Sequence, residues 1–197
     1  MMRRIILLLF SFSFINAQIA LPTFQAVHKP HSTTSSSIPE NPAQSSGISP
    51  DYTGGAWLYL MGFRFTPQVD GTITQLGGLF DGTKNVYLWE WSNGNYLGSV
   101  SISDPNNSWA YLNLSSAVSV SANTEYAVCV WVNSSGGARI PFVDRLPNTY
   151  GNITINSALL KYNWSESTTM PSSWNYGGSS SYIYYMWGLA DITFVPD

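Results

Sequence analysis

The chain is short of cysteine and of long apolar runs, and each shortage excludes a class of protein. Cys129 is the single cysteine among 197 residues, so no internal disulfide can form and stability must come from a buried core. Cys129 lies in the apolar run 126–132, which predicts a buried, inert thiol. No stretch approaches the roughly 20 apolar residues that a membrane-spanning helix needs. The sequence therefore predicts no membrane span.

Histidine is missing from residue 51 onward, because His28 and His31 both precede it. This removes Ser-His and Cys-His nucleophiles and most zinc sites from that part of the chain. Charge is also sparse there: residues 51–197 hold ten acidic and five basic side chains, a net charge of −5. Such a surface attracts neither nucleic acid nor an anionic membrane. We therefore expect no nucleic-acid partner and no enzyme activity.

Residues 1–17 have the pattern of a secretory signal peptide. Arg3 and Arg4 precede the apolar run 5–15, and a short polar stretch with Ala17 follows it. This order of a basic start, an apolar middle and a small residue at the cleavage point is typical of exported proteins, with cleavage after Ala17. The sequence therefore predicts a secreted protein, extracellular or at the cell surface.

Residues 18–50 differ in composition from everything after them. The stretch 19–27 is a short apolar patch, and 28–50 is rich in Ser, Thr and Pro. Such a spacer has too few apolar residues to fold alone, so we expect an apolar N-terminal segment followed by a disordered linker. The folded domain is then expected to occupy residues 51–197.

The domain sequence predicts strands separated by turns, without helical periodicity. Apolar and aromatic runs recur every 8 to 15 residues, with Gly, Asn, Asp, Ser and Pro between them. This spacing is typical of an all-β fold and predicts an antiparallel β-sandwich of the jelly-roll kind. The expected strands are 57–66, 72–80, 86–91, 96–102, 109–114, 117–120, 125–132, 153–162 and one or two strands within 182–195.

The stretch 85–102 predicts a β-hairpin that organises the domain. Asn93-Gly94 tolerates the positive φ angles of a tight turn and lies between two apolar segments. Counting outward from this turn gives three facing pairs: Trp91 with Tyr96, Trp89 with Gly98, and Tyr87 with Val100. One buried face would then carry the aromatic side chains, with the Trp89 ring lying over Gly98.

Aromatic side chains in one loop are the candidate ligand-binding residues. Trp164, Trp174 and Tyr176 lie among Ser, Asn and Gly rather than among apolar neighbours. Exposed Trp and Tyr rings stack on the apolar CH faces of sugars, so these three residues predict a glycan-binding surface. The expected partner is an extracellular glycan or a surface protein.

The carboxylates give two weaker alternatives. Glu90 with Asp144 or Glu166 could form the carboxylate pair of a glycan-active enzyme, although solvated surface carboxylates are the commoner explanation. Asp70, Asp81 and Asp191 are the candidate ligands of a structural calcium ion, but they follow no ligand spacing. No other cofactor is predicted.

Several short motifs occur in a characteristic order along residues 60–197. They are 62–66 (GFRFT), 69–74 (VDGTIT), the strand-turn-strand 86–101, 109–114 (WAYLNL), 117–120 with 124–128, and 190–194 (ADITF). Together they resemble a secreted β-sandwich domain family of unknown function that is often appended to large extracellular and cell-surface proteins. The resemblance implies the same fold but assigns no catalytic residue.

These observations favour a secreted, non-enzymatic β-sandwich module that binds glycans or mediates surface adhesion. A second hypothesis is a structural subunit of an extracellular fibre or surface assembly. In that case the apolar segment 19–27 would add as a strand to the sheet edge of a neighbouring copy and cause self-association. A carboxylate-dependent glycan-active enzyme is the third.

Overall fold

The structure, a computed structural model, describes residues 37–47, 52–53, 58–103, 108–132, 139–140, 146–175 and 189–197. In chain order its elements are α1 (Pro42–Ser45), β1 (Tyr52–Thr53), β2 (Tyr59–Pro67), β3 (Gly71–Leu79), β4 (Lys84–Glu90), β5 (Tyr96–Ile102), β6 (Trp109–Val120), β7 (Tyr126–Val132), β8 (Arg139–Ile140), β9 (Asn148–Tyr150), β10 (Ile153–Tyr162) and β11 (Leu189–Pro196). Within these ranges no helix has the length and apolar character needed to cross a membrane.

Two antiparallel sheets pack face to face. The larger has six strands in the order β5-β4-β7-β2-β10-β9, and the smaller has three in the order β11-β3-β6. A further two-stranded ladder joins β1 to β8. The predicted antiparallel β-sandwich is therefore confirmed.

The central core lies between the two main sheets and follows from alternation along the strands. In β2, Met61, Phe63 and Phe65 are fully buried and point into this core, while Leu60 points to the other side of the sheet. A strand that is apolar on both faces must also be covered on its outer face. The larger sheet therefore carries a second buried cluster, described below.

The hairpin of β4 and β5 forms, but its predicted register is wrong. Tyr87 faces Ser99 and Leu88 faces Gly98, and after an irregularity Trp89 faces Tyr96. When the register shifts by one residue, side chains that were predicted to share a face of the sheet lie on opposite faces. Val86, Leu88, Val100 and Ile102 therefore point into the central core, and Tyr87 and Trp89 point out of the sandwich.

The register differs because the connecting loop spans five residues rather than two or four. The Trp91 N–H donates to the Glu125 carbonyl oxygen next to β7 at 2.9 Å, and the paired register of β4 with β5 ends at Trp89 and Tyr96. Gly94, at φ +70°, closes the turn with its N–H on the Glu90 carbonyl oxygen. A local turn motif contains neither this long-range contact nor the irregularity between Leu88 and Trp89.

Gly98 makes room for the opposite sheet rather than for Trp89. A Cβ atom at Gly98 would lie 2.7 Å from Leu114 Cδ2. Leu114 belongs to β6, so the absent side chain allows the edges of the two sheets to approach. The predicted contact between the Trp89 ring and Gly98 is therefore wrong.

Residues 37–47, here called the N-terminal strap, pack on the sandwich. Glu40 exchanges two backbone hydrogen bonds with Phe194 of β11, at 2.7 and 2.8 Å, and the Asn41 side chain donates to the Ile192 carbonyl oxygen. The helix α1 follows, and Ala43 is fully buried in the central core. This part of the segment expected to be a disordered linker is therefore ordered, because β11 supplies the partners that the strap lacks. The apolar segment 19–27 lies outside the described residues, so its strand addition stays a prediction.

Candidate binding surface on the six-stranded sheet

The outer face of the six-stranded sheet carries a buried aromatic cluster, here called the outer cluster. Its buried members are Leu60, Tyr87, Trp89, Ala127, Cys129, Leu159 and Trp164, and the half-buried Trp91, Trp131, Met170 and Trp174 pack against it. The residues 163–175, here called the loop cover, lie over this face. Burial raises the pKa of the Cys129 thiol well above its usual value, in agreement with the inert thiol expected from the sequence.

Trp89 and Trp164 fix the loop cover to the sheet. Trp89 has no exposed surface, and its indole N–H donates to the Thr168 carbonyl oxygen at 2.7 Å. The Trp164 ring meets the Trp89 ring edge to face, with 6.4 Å between centroids. Since Trp164 is only 8% exposed, it cannot be the exposed stacking residue that the sequence predicted. Its apolar neighbours come from distant strands, which the local Ser- and Asn-rich sequence does not show.

The candidate enzymatic carboxylates have structural partners. Glu166 accepts hydrogen bonds from the Tyr87 hydroxyl and the Asn85 amide, and Glu90 accepts one from Ser92. Burial, followed by the hydrogen bond to Glu166, raises the pKa of Tyr87 above its usual value. Asp144 lies outside the described residues.

Trp174 and Trp91 form the open edge of the outer cluster. Both are half-buried, and their ring centroids lie 6.1 Å apart with an interplanar angle of 34°. The Arg64 guanidinium lies 4.8 Å from the centroid of the Trp91 ring. Trp174 is thus less exposed than the sequence predicts, and its role in ligand binding stays a prediction; Trp91 lies beside it. Tyr176 lies outside the described residues.

A polar network adjoins the Trp91 ring. Arg64 donates from Nε to Ser157 at 3.2 Å and lies 3.6 Å from the Glu125 carboxylate. The Asn156 amide donates to Glu125 at 2.9 Å and to Thr66 at 2.7 Å. We call Trp91, Trp174, Arg64, Glu125 and Asn156 the tryptophan surface. Its polar groups hold each other in place, as a site that recognises hydroxyl groups requires.

Most of the tryptophan surface was missed by sequence reasoning. Arg64, Glu125 and Asn156 come from β2, the start of β7 and β10, which only the sheet order brings together. The sequence did contain one signal for Trp91, because it lies at the end of a strand beside the Asn93-Gly94 turn. There a large ring can stay partly exposed.

The three candidate calcium ligands do not meet. Asp70 accepts a hydrogen bond from Ala122 and Asp81 accepts one from Gly82, whereas Asp191 is fully buried. Within the described ranges no three acidic, cysteine or histidine side chains lie together as metal ligands would. The arrangement of these aspartates therefore does not support a calcium site.

Asp191 instead holds the N-terminal strap. Its carboxylate accepts hydrogen bonds from the backbone N–H groups of Ala43 and Gln44, at 3.0 and 2.9 Å, and from the Tyr111 hydroxyl at 2.8 Å. Burial raises the pKa of Asp191 from 3.8 to about 6, although these hydrogen bonds lower it. Burial, followed by the Asp191 charge, also raises the pKa of Tyr111.

A comparison with models of known protein families finds a match. Residues 52–183 match the model of a domain of unknown function, DUF4082. The chain belongs to this family. The resemblance to a family of unknown function is thereby confirmed, while the secretion of the DUF4082 domain and its attachment to larger proteins stay predictions. No curated protein matches the chain.

Proposed function

We propose that this DUF4082 domain is a secreted, non-enzymatic module that binds glycans through the tryptophan surface. The observation that carries the proposal is the pair of half-buried rings, Trp91 and Trp174, beside a fixed network of polar side chains. The signal-peptide pattern of residues 1–17 supports export. The absence of histidine after residue 31 supports a binding role rather than a catalytic one.

The chemistry of the surface fits a sugar. A pyranose ring has an apolar CH face and a rim of hydroxyl groups, so it needs an aromatic ring beside hydrogen-bonding groups. Trp174 offers the ring, and the Glu125 carboxylate is partly exposed, with 38% of its side chain accessible. This carboxylate is paired with Arg64, which lies over the Trp91 ring, so it is the acceptor that we expect the hydroxyl rim of a sugar bound at the two rings to meet. The same groups hold fixed positions before the sugar arrives, which lowers the entropic cost of binding.

The charges favour neutral glycans over acidic ones. The single cation of the surface, Arg64, is already shared between Glu125 and the Trp91 ring. The hairpin beside it adds Glu90, and the domain as a whole is acidic. An anionic sugar would meet more repulsion than attraction here. We therefore expect neutral glycans to bind more tightly than uronic or sialylated ones.

A glycan array with the secreted protein tests the proposal. We expect the wild type to bind at least one neutral glycan, and Trp174→Ala to weaken that binding about tenfold or more, with no loss of fold. Tyr96→Ala is the matched control, because Tyr96 is an exposed ring on the same hairpin, outside the tryptophan surface, with 42% of its surface accessible. Glu125→Gln keeps the shape of the side chain and one acceptor oxygen, and it tests whether the negative charge contributes to binding.

Three results would contradict the proposal. The wild type could bind no glycan, Trp174→Ala could bind as well as the wild type, or Tyr96→Ala could lose as much affinity as Trp174→Ala. Release of shorter sugars from a bound glycan would contradict the non-enzymatic part. Glu90→Gln would then show whether the carboxylate hypothesis holds.

A further inference from the structure

The outer face of the three-stranded sheet carries a second pair of accessible aromatic rings. Trp109 and Tyr111 lie two residues apart on β6, so both point to the same side of the sheet. Their ring planes are inclined by only 9° and their centroids are 6.3 Å apart. Both side chains are half-buried. The planes of the two rings are therefore nearly parallel.

Gly77 explains why the Tyr111 ring lies flat. Gly77 of β3 faces Tyr111, and a Cβ atom there would lie 2.3 Å from Tyr111 Cδ1. The ring therefore crosses the bare backbone of β3 and reaches β11, where its hydroxyl donates to Asp191 at 2.8 Å. The same hydroxyl lies 3.1 Å from the side-chain amide oxygen of Gln44 in the N-terminal strap. A ring fixed in this way turns one face to the sheet and the other away from it.

An amide pair adjoins the two rings. The Gln75 amide donates to the Asn113 carbonyl oxygen at 2.8 Å, and Thr193 donates to Gln75 at 3.0 Å. Gln75 and Asn113 face each other on β3 and β6, two residues beyond Gly77 and Tyr111. Asn113 is exposed, so its amide can also meet a ligand. We call Trp109, Tyr111, Gln75 and Asn113 the aromatic platform.

The charge of this face selects the class of ligand. Neither β3 nor β6 contains a charged residue, and the nearby Asp191 of β11 is fully buried with four hydrogen-bond donors around it. An ionic ligand would gain no partner on these strands. Partly accessible aromatic rings beside an amide pair instead match an uncharged chain of sugars, whose CH faces stack and whose hydroxyl groups bond to amides.

We infer that the aromatic platform is a second glycan-binding surface, specific for neutral chains. It shares the ligand class of the proposed function but stands on its own observation, the half-buried and nearly parallel ring pair on the other sheet. Because the two surfaces lie on the outer faces of different sheets, one domain would bind two glycan chains and link them.

Titration of the whole secreted protein with cellohexaose, xylohexaose and mannohexaose tests the inference, with binding followed by calorimetry and by the NMR signals of the indole N–H groups. We expect Trp109→Ala to lose about tenfold or more in affinity at one site and Trp174→Ala to keep that site. Leu112→Ala is the matched control, because Leu112 is a neighbour on β6 with 45% of its surface exposed. Asn113→Ala changes an exposed side chain and provides a second variant in case Trp109→Ala does not fold.

The two surfaces are separated by comparing the variants. A second site that is lost in Trp109→Ala or Asn113→Ala, and kept in Trp174→Ala, supports the inference even if the tryptophan surface binds nothing. A single site that only Trp174→Ala removes overturns the inference and leaves the proposed function standing. A wild type that binds none of the three hexasaccharides overturns the inference as well.

Linking of chains gives an independent readout. We expect the wild type to precipitate a soluble neutral polysaccharide, konjac glucomannan, at stoichiometric ratios. Neither Trp109→Ala nor Trp174→Ala should precipitate it, because each keeps one surface. Precipitation by Trp109→Ala equal to that by the wild type would overturn the inference.

Discussion

Two segments outside the main sheets are fixed to them in different ways, one by an apolar contact and the other by a buried charge. On the six-stranded sheet, the loop cover packs aromatic rings on Tyr87 and Trp89, and one indole hydrogen bond fixes it. On the three-stranded sheet, the N-terminal strap is held by the Asp191 carboxylate through backbone N–H groups of α1. The first cover depends on packing and the second on a proton equilibrium. The comparison teaches that, within one β-sandwich, the attachment of one segment can be insensitive to pH while the attachment of another depends on pH.

The largest loss of stability is expected from Trp89→Ala, in the apolar contact between the loop cover and the six-stranded sheet. Removing a fully buried indole should lower the free energy of unfolding by about 3 to 5 kcal/mol, since a cavity opens under the loop cover. Chemical denaturation measures this change. Trp174→Ala, at the open edge of the same cluster, is the control and should cost clearly less. Equal costs for the two variants would show that the loop cover is not fixed at Trp89.

The buried charge should make the strap side sensitive to pH. The pKa of Asp191 is about 6 in the folded protein and near 3.8 when the side chain is exposed, so between these values the unfolded chain loses a proton that the folded chain keeps. The free energy of unfolding should therefore fall as the pH rises from 4 to above 6, by about 3 kcal/mol for a shift of two pKa units.

Denaturation of the wild type and of Asp191→Asn at several pH values isolates this contribution. The amide does not titrate, so the difference between the two proteins should change across this range and be constant above pH 7. An unchanged difference from pH 4 to 7 would contradict the assignment, whatever the absolute stability of the variant.

Substitution of two glycines compares a close contact with backbone atoms and a close contact with the end of a side chain. Gly77→Ala would place a Cβ 2.3 Å from the Ala110 carbonyl oxygen, which cannot move alone, so we expect a cost of about 2 to 3 kcal/mol. Gly98→Ala would meet only the end of the Leu114 side chain, and we expect a cost of about 1 kcal/mol or less. Thermal unfolding ranks the two. The reverse order would show that β6 moves away from β3 more easily than the Leu114 side chain moves away from β5.

The smallest effect is expected from Tyr87→Phe. The variant keeps the ring in the outer cluster and removes the hydroxyl that donates to Glu166. Because Glu166 is exposed and can bond to water, the loss should be about 1 kcal/mol or less. Urea denaturation beside Glu166→Gln, which keeps an acceptor for the hydroxyl, checks it. A loss near that of Trp89→Ala would mean that a polar contact fixes the loop cover.

Local patterns predicted the strands well, and long-range contacts account for the errors. The strand 153–162 was predicted with the bounds that β10 has, because an apolar run follows the turn at Gly151-Asn152. The predicted hairpin register is wrong because it assumes regular pairing up to the turn, whereas the pairing shifts between Leu88 and Trp89 and the Trp91 N–H bonds to Glu125, 34 positions away in the chain. Nothing in the local sequence of a turn records such a partner.

The strap and the loop cover were missed for a related reason. Asn41-Pro42 is a typical helix start, and it was the one local signal inside a Ser- and Pro-rich segment. The partner of that helix is Asp191, near the other end of the chain. Trp164 is buried for the same reason, since Tyr87, Trp89 and Trp131 come from β4 and β7. Composition describes the neighbours along the chain, whereas burial depends on neighbours in space.

The strap also decides how the domain would respond to mechanical force. A pull on the chain before residue 37 first loads the two backbone hydrogen bonds between Glu40 and Phe194, and then the Asn41 contact with β11. The Asp191 contacts to α1 come next. A tether on that side would therefore extend by releasing the strap in steps before any strand of the two main sheets has to separate.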